Sequence, residues 1–531
     1  MGIGPWKEIV SETVVLPRAR IAEGASRGSS VPVEAGRAGG WRGWLGHWPL
    51  LLILCVQAGL ALRLANTAFL DEATYLYSGH REIAWLLHGT PTNDDYSSYF
   101  SGAPVLYPVL GALADSLGGL AAARLLSLVF MLGATVCLYG ATQRLFSRRA
   151  AWFAAALFAT TGPALFMSHF ATFDAPAVFL LALCFLTAVR SAGRRALILD
   201  LAVYGCAAIA FKYASMAYVL PCIATGAVLA VPRVGWRWAT ARGAVMCALT
   251  LSFALAGLLL GGADLIHGVA STTTARAADQ VATGVITAKS AEYVGGVLAV
   301  GILGLVLAGV RNGEAPARDR SVRLALGLVL CGAALIAPVG DVRLHTLTSL
   351  EKHAGYGLLF VSALAGHALA EISGRSVLRR GVCVLLTIAL AAVGAHQSRQ
   401  FFREWTDSRS LVTAMEAQLS GSDQQILAEE AWVLKYYMQG RVTQYQWHDT
   451  YALSYRDRQG KVLTGAPAYI QALQDHYFDL VMLDFNATPA LDAQLAPLMG
   501  QDGYTMVATI SARTRFGEES FHIWRLVEVN P

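Results

Sequence analysis

The sequence predicts a polytopic α-helical membrane protein with about eleven spans, followed by a water-soluble C-terminal α/β domain. Three observations carry that prediction. Of 531 residues, 55% are hydrophobic and only 15% charged, against about 25% charged in an ordinary soluble chain; mean hydropathy is +0.47. Apolar runs recur from residue 48 to residue 397, with basic clusters in alternate connections. The charge then changes sign: residues 1–396 hold 30 Lys+Arg and 20 Asp+Glu, whereas residues 397–531 hold 11 and 16. A net charge of +5 spread over such a chain makes no basic surface and excludes a nucleic-acid partner.

Taken in order, residues 1–46 are rich in Gly, Ser and Ala and carry Arg18, Arg20, Arg27, Arg37 and Arg42. They read as a disordered cytosolic leader, and the first apolar run begins too late for a cleaved signal peptide. A spanning helix needs roughly 20 mostly apolar residues. Such segments lie near 48–68, 120–142, 150–168, 174–190, 196–211, 214–231, 243–263, 294–310, 323–339, 354–371 and 381–397. Trp44 and Trp48 form an interfacial belt at the first of them. Paired glycines such as Gly261-Gly262 and Gly295-Gly296 suit helix packing rather than phosphate binding.

Arg148–Arg149, Arg194–Arg195, Arg233–Arg237–Arg242, Arg311–Arg323 and Arg375–Arg380 occupy every second loop. By the positive-inside rule those loops are cytosolic. Segments 69–119, 169–173, 212–213, 264–293, 340–353 and everything after 397 then lie outside. The eight cysteines all fall in or beside apolar segments, with no CxxC spacing, so they read as packed free thiols.

The tail, 398–531, reads as an α/β unit. Strands are expected at Gln424–Glu429, Val442–Gln446, Phe478–Asp484, Tyr504–Ile510 and Phe521–Val527. Helices are expected at Leu427–Met438, Ala466–His476 and Pro489–Met499. No catalytic motif stands in it; Glu429-Glu430 is an adjacent pair, which a helix would point apart.

The first outer loop carries the chemistry. Phe69-Leu70-Asp71-Glu72-Ala73-Thr74-Tyr75 places two carboxylates where the first span ends. Tyr75–His88 is amphipathic and suits a helix lying at the membrane surface. A polar stretch with Asp94, Asp95, Tyr96 and Tyr99 follows, then the apolar segment Gly102–Leu110, too short to span. A further acid, Asp174, has apolar neighbours on both sides. Burial there is costly unless the carboxylate is paired, metal-bound or functional. A solvated helix end is the plain alternative for Asp71 and Glu72.

These residues resemble the GT-C fold glycosyltransferases of the family 39 type, which include dolichyl-phosphate-mannose-protein mannosyltransferases and bacterial lipid A aminoarabinose transferases. The resemblance rests on Asp71-Glu72 with Tyr75, on Ala103-Pro104-Val105-Leu106-Tyr107, and on Arg124. It rests also on Asp174-Ala175-Pro176 and on Phe211-Lys212-Tyr213. It covers residues 45–230 in motif detail and the remainder in topology. Gly102-Ala103-Pro104 stands where many bacterial members have a basic residue before Pro-Pro-Leu. The loop at 264–293 is too short for the inserted sugar-binding domain of the eukaryotic-type enzymes.

The resemblance implies a polyprenyl-phosphate-linked sugar donor and an acceptor that is protein, lipid or cell-envelope glycan. An acceptor hydroxyl needs a base: Asp71 is the expected one, with Glu72 and Asp174 as further catalytic carboxylates. Tyr75 and Tyr99 are the expected substrate contacts. The leaving phosphate needs cations, and Lys212, Lys352, His353 and Arg343 are the candidates; Arg276 and Lys289 read as ordinary loop charges. A divalent metal on Asp71 and Asp174 is left open, although no dense ligand cluster is visible; no other cofactor is implied. His169 and His267 read as packing groups. The expected setting is a bacterial plasma membrane with site and tail extracytoplasmic, the tail capping the site or recruiting the acceptor. The rival class is a transporter or lipid flippase, which would place ionisable groups at mid-span and show related halves; neither is seen. An inactive relative with a binding tail is a third reading.

Overall fold

The computed structural model describes residues 48–527 apart from 193, 195, 277, 311–316, 422 and 502; the segment read as a leader lies outside them. Among the described residues thirteen α-helices form the first part: α1 (Trp48–Ala61), α2 (Leu70–His88), α3 (Tyr107–Leu145), α4 (Arg148–Thr160), α5 (Gly162–His169), α6 (Asp174–Ser191) and α7 (Leu197–Phe211). They continue with α8 (Ser215–Thr272), α9 (Thr283–Ser290), α10 (Gly296–Val310), α11 (Ala317–Leu344), α12 (Leu350–Ser373) and α13 (Val377–Phe401).

Each apolar segment read from the sequence lies largely within one helix, except 150–168, which is divided between α4 and α5. Among the described residues seven helices are long and apolar enough to cross a membrane, or eight if the pair α4–α5, bent by 64°, is one span; α1 and α7 are apolar but shorter. The breaks have local causes. Gly119 (φ 66°) interrupts α3, and Gly235 (φ 77°) and Gly262 (φ 78°) divide α8 into three pieces. The segments 214–231 and 243–263 therefore occupy separate pieces. Between α4 and α5, Gly162-Pro163 starts a new helix whose Ala164 N–H is capped by the Thr161 hydroxyl.

Helix α12 is the hub, packing on α4, α10 and α11. Its buried apolar side chains, Leu358 to Leu369, join those of α3, α5, α6 and α8 in one core. Faces left exposed on α8 (Leu251, Leu255, Leu259) and α13 (Val382, Leu385, Ile388) are apolar, as a lipid-facing surface requires.

The tail holds β1 (Ile426–Ala428), β2 (Trp447–His448), β3 (Ser454–Arg456), β4 (Val462–Thr464), β5 (Leu480–Leu483), β6 (Tyr504–Arg513) and β7 (Glu518–Leu526). Its helices are α14 (Arg409–Gln418), α15 (Trp432–Tyr437), α16 (Ala466–Gln474) and α17 (Pro489–Met499). One sheet runs β2-β1-β5-β7-β6, parallel at its first two pairings and antiparallel at the rest; β3 and β4 form a separate hairpin. The expected strand at 442–446 begins instead at Trp447, after a 3₁₀ turn over 444–446. The expected helix from Leu427 starts only at Trp432, because β1 claims Ile426–Ala428. Glu429 is a fastener. Its carboxylate accepts backbone N–H bonds from Asp484, Phe485, Ala487 and Thr488 at 2.6–2.8 Å, closing the loop between β5 and α17.

The tail sits against the end of the bundle that carries α2. Tyr436 donates to Asp115 (2.6 Å), whose other oxygen lies 2.7 Å from His80. Tyr437 accepts from the Ala68 N–H (2.7 Å), and the Ser408 N–H donates to the Thr67 hydroxyl (2.9 Å). Lys435 lies over the Trp432 ring and 3.7 Å from Asp94. The arginines at the other end gather too: Arg144, Arg190, Arg194 and Arg233 line one cavity of about 490 Å³.

Candidate functional site

Helix α2 begins with two adjacent carboxylates that the helix turns to different partners. Successive helical residues point about 100° apart. Glu72 turns inward and is fully buried. Its oxygens accept from Arg124 Nε (2.8 Å) and Nη2 (2.7 Å), from the Phe69 N–H (3.0 Å) and from the Ala171 N–H (2.8 Å). Arg124 also donates to the Asn66 and Thr67 carbonyls (2.8 and 3.0 Å). One buried ion pair thus ties the start of α2, the second piece of α3 and the turn before α6. Both Glu72 oxygens are committed.

Asp71 turns the other way, with 28% of its side chain exposed, and pairs with Lys352 in the first turn of α12. The ammonium is buried and lies 5.8 and 5.7 Å from the ring centroids of Phe69 and Phe166. Asp174, in the first turn of α6, is 1% exposed and accepts from the Tyr356 hydroxyl (3.0 Å). Gly355 and Gly357 flank that tyrosine. A Cβ on Gly355 would stand 2.3 Å from Met167 Cε, and one on Gly357 2.7 Å from the Ala333 carbonyl oxygen. The spacing lets α12 approach α5 and α11 closely enough for Tyr356 to meet Asp174.

Lys212, between α7 and α8, is 4% exposed and donates to the Ser101 hydroxyl (2.6 Å). Burial pushes its ammonium below the ordinary lysine value; Asp174 and Asp71 oppose that, while Lys352 and Arg276 add to it. A cavity of about 320 Å³ opens beside it. Lys212, Arg276, His353 and Asp341 line the polar part, and Met216, Ala217, Ile336 and Ala337 the apolar part. The Ser349 backbone at its rim is left-handed (φ 67°), a conformation that costs a non-glycine residue about 1–3 kcal/mol.

Asp71, Asp174, Lys212, Lys352 and His353 are therefore brought to one end of the bundle, from segments read as lying on one face. Other expectations fare differently. Arg343 is exposed and does not line the cavity, which Arg276 does instead; sequence had treated Arg276 as an ordinary loop charge. Tyr75 is 8% exposed, with its ring centroid 4.1, 5.3 and 6.4 Å from those of Phe173, Phe100 and Tyr107. It is a packing residue whose hydroxyl is held well above the ordinary range by burial, then by Asp71 and Asp174. Tyr99 lies farther off, against Phe100 and Trp432 at the tail, and is 42% exposed. His169 hydrogen-bonds the Ala61 carbonyl (2.9 Å).

The missing basic residue at Gly102 has a steric cause. A Cβ there would stand 2.1 Å from the Phe211 carbonyl oxygen, so no larger side chain fits. For a divalent metal, the fit is poor. Among the described residues no three His, Cys, Asp or Glu side chains come together as ligands, and the Lys352 ammonium already sits on Asp71.

Comparison with known proteins agrees with this architecture. A family model described as dolichyl-phosphate-mannose-protein mannosyltransferase matches residues 104–259. The structure of ArnT from Cupriavidus metallidurans, bound to undecaprenyl phosphate, is similar at a TM-score of 0.55 and 13% identity, covering 92% of this chain and 99% of that one. Looser similarity extends to the Archaeoglobus fulgidus oligosaccharyltransferase AglB (TM-score 0.48, 12% identity, 93% and 75% covered) and the mycobacterial arabinofuranosyltransferase AftD (TM-score 0.47, 15% identity, 90% and 41% covered). No curated protein sequence matches. The family model and the fold shared with ArnT bear out the GT-C architecture and the family resemblance read from the sequence.

Proposed function

We propose that this chain is an integral-membrane glycosyltransferase that moves a sugar from a polyprenyl-phosphate donor to an acceptor outside the cytoplasm. One observation carries the reading: the Asp71–Lys352 pair stands at the same end of the bundle as a cavity with Lys212 and Arg276 in its polar part and apolar side chains in the rest. A lipid phosphate needs that division, with charge for its head and hydrocarbon for its chain. The matched family and the ArnT similarity support the same substrate class.

The acceptor oxygen attacks the anomeric carbon while Asp71 takes its proton. The bond from that carbon to the phosphate oxygen breaks, and the electron pair leaves with the polyprenyl phosphate. Lys212, Arg276 and Lys352 offset the charge that builds on the leaving group. A single displacement of this kind inverts the anomeric centre. Lys352 also orients Asp71, and Tyr356 orients Asp174, which keeps the cations together. Glu72 and Arg124 hold the loop in place.

The arginine-rich opposite end supports a cytosolic placement of that end, and hence a site on the outer face of a plasma membrane, in a bacterium by the character of the sequence. The tail, bonded to the loop that carries Asp71, caps the site on the acceptor side. A transporter would need its charges at mid-span; here they stand at one end.

The test is reconstitution into vesicles with undecaprenyl-phosphate sugars on the tail side. Release of undecaprenyl phosphate with sugar appearing on a hydroxyl-bearing acceptor supports the enzyme. Movement of intact donor or solute across the bilayer without such release refutes it.

A further inference from the structure

Asp341 is placed where a carboxylate is expensive. It lies in the last turn of α11, 5% exposed. Its Oδ2 is buried without a hydrogen-bond partner among the described residues. The C-terminal end of a helix carries partial negative charge and disfavours an acid. A buried polar oxygen left without a hydrogen bond costs more still. Yet Asp341 lines the same cavity as Lys212, Arg276 and His353. His353 Nε2 is likewise buried and without a partner.

The two kinds of wall ask for different things. Lys212 and Arg276 suit an anion. A phosphate brings only acceptor oxygens, which would leave the Asp341 Oδ2 without a donor. The ligand that satisfies every wall carries an anionic group and, close to it, at least one hydrogen-bond donor. The cavity of about 320 Å³ falls at the lower end of the range for small-molecule sites, about 300–1,000 Å³.

We propose that Asp341 reads the sugar of the donor, accepting a hydrogen bond from a hydroxyl or ammonium group while the cations hold the phosphate. This rests on the reading of the cavity as the donor site. Asp341 is then a specificity residue: it separates glycosylated carrier from the bare carrier phosphate released as product. Net favourable discrimination by one charged hydrogen bond is about 10- to 100-fold.

The test is binding to the full chain in nanodiscs. The probes are undecaprenyl phosphate and its mannose, glucose, arabinose and 4-amino-arabinose derivatives. Wild type should bind at least one glycosylated lipid about 10- to 100-fold more tightly than undecaprenyl phosphate. Asp341→Ala should lose that preference while still binding undecaprenyl phosphate, and Asp341→Asn, which keeps an acceptor oxygen, should retain part of it. A preference confined to the amino sugar and abolished by N-acetylation assigns an ammonium partner; one removed by a single deoxy position assigns a hydroxyl. Equal preference in wild type and Asp341→Ala, or an equal loss of affinity for all probes, overturns the assignment while leaving the donor site standing. Failure of wild type to bind any of these lipids overturns the donor site and the assignment with it.

Discussion

Lys352 reaches Asp71 across 281 residues of chain, and the contact joins the first turn of α12 to the first turn of α2. In the proposed reaction the ammonium has two duties, orienting the base and offsetting charge on the leaving phosphate.

Replacing Lys352 by Met should therefore damage turnover more than stability. The long apolar side chain keeps the contacts with Phe69 and Phe166, while the charge is gone. Loss of one preorganised cation costs about 10²–10³ in rate. Steady-state transfer assays on the purified variant, with its melting temperature checked beside wild type, measure this.

The neighbouring pair should behave in the opposite way. Glu72 is fully buried and bonded to Arg124, which is largely buried, so removing one partner strands the other's charge, a loss of about 3–5 kcal/mol. Glu72→Ala and Arg124→Ala should each lower the detergent-solubilised melting temperature sharply. The double variant should cost less than the sum of the two, because neither charge is then stranded. Additive losses would show that the pair is not coupled.

Two arginines near the same membrane face should separate cleanly. Arg276→Gln, which removes a cavity cation, should weaken use of the donor at least tenfold. Arg343→Gln, on an exposed turn of α11, should stay within about twofold. Donor titrations of initial rate distinguish them.

The tail should hold its place better in acid than in alkali. Glu404, Glu430, Asp484 and Glu519 line one cleft against Phe69 and Leu70. Burial raises each; in Glu404 it does so against Arg515 and carries the carboxyl to about 7, and in Asp484 Glu429 adds to it. Carboxyls raised in the folded state hold protons there more tightly than when unfolded. Their contribution is greatest at low pH and falls as pH rises from the ordinary carboxylate range, about 4, towards 7 and beyond. Glu429 runs the other way: burial raises it, but the hydrogen bonds it receives outweigh burial and hold it low. Hydrogen exchange over 480–488 in the full chain should be slower at pH 5.5 than at pH 8, after correction for intrinsic rates. Asp484→Asn should flatten that difference.

Much of this was legible in the sequence because composition and charge act locally. Apolar runs broken by arginines mark helices and their sides, and Asp71-Glu72 with Asp174 mark the loops that meet. Asp71 was the expected base, but that Glu72 would be taken up by Arg124 was not legible, since it depends on the rotation of α2 against α3. Arg276 and Asp341 escaped for a related reason. Each is a single charge in an unremarkable segment, and only the packing of α8, α11 and α12 puts them on one cavity. In the tail, β3 and β4 are too short and exposed to show a hydrophobic alternation, and Glu429 reveals its role only through backbone N–H groups more than 50 residues away.

The measurement that tests the central claim most directly is donor turnover by Asp71→Asn in reconstituted vesicles, beside wild type at matched folding. Asparagine keeps the size of the side chain and a donor–acceptor end but cannot take the acceptor's proton. The account predicts that wild type converts an undecaprenyl-phosphate sugar to undecaprenyl phosphate and that the variant does so about 10²–10⁴-fold more slowly, with an unchanged melting temperature. Transfer by Asp71→Asn at the wild-type rate would contradict it.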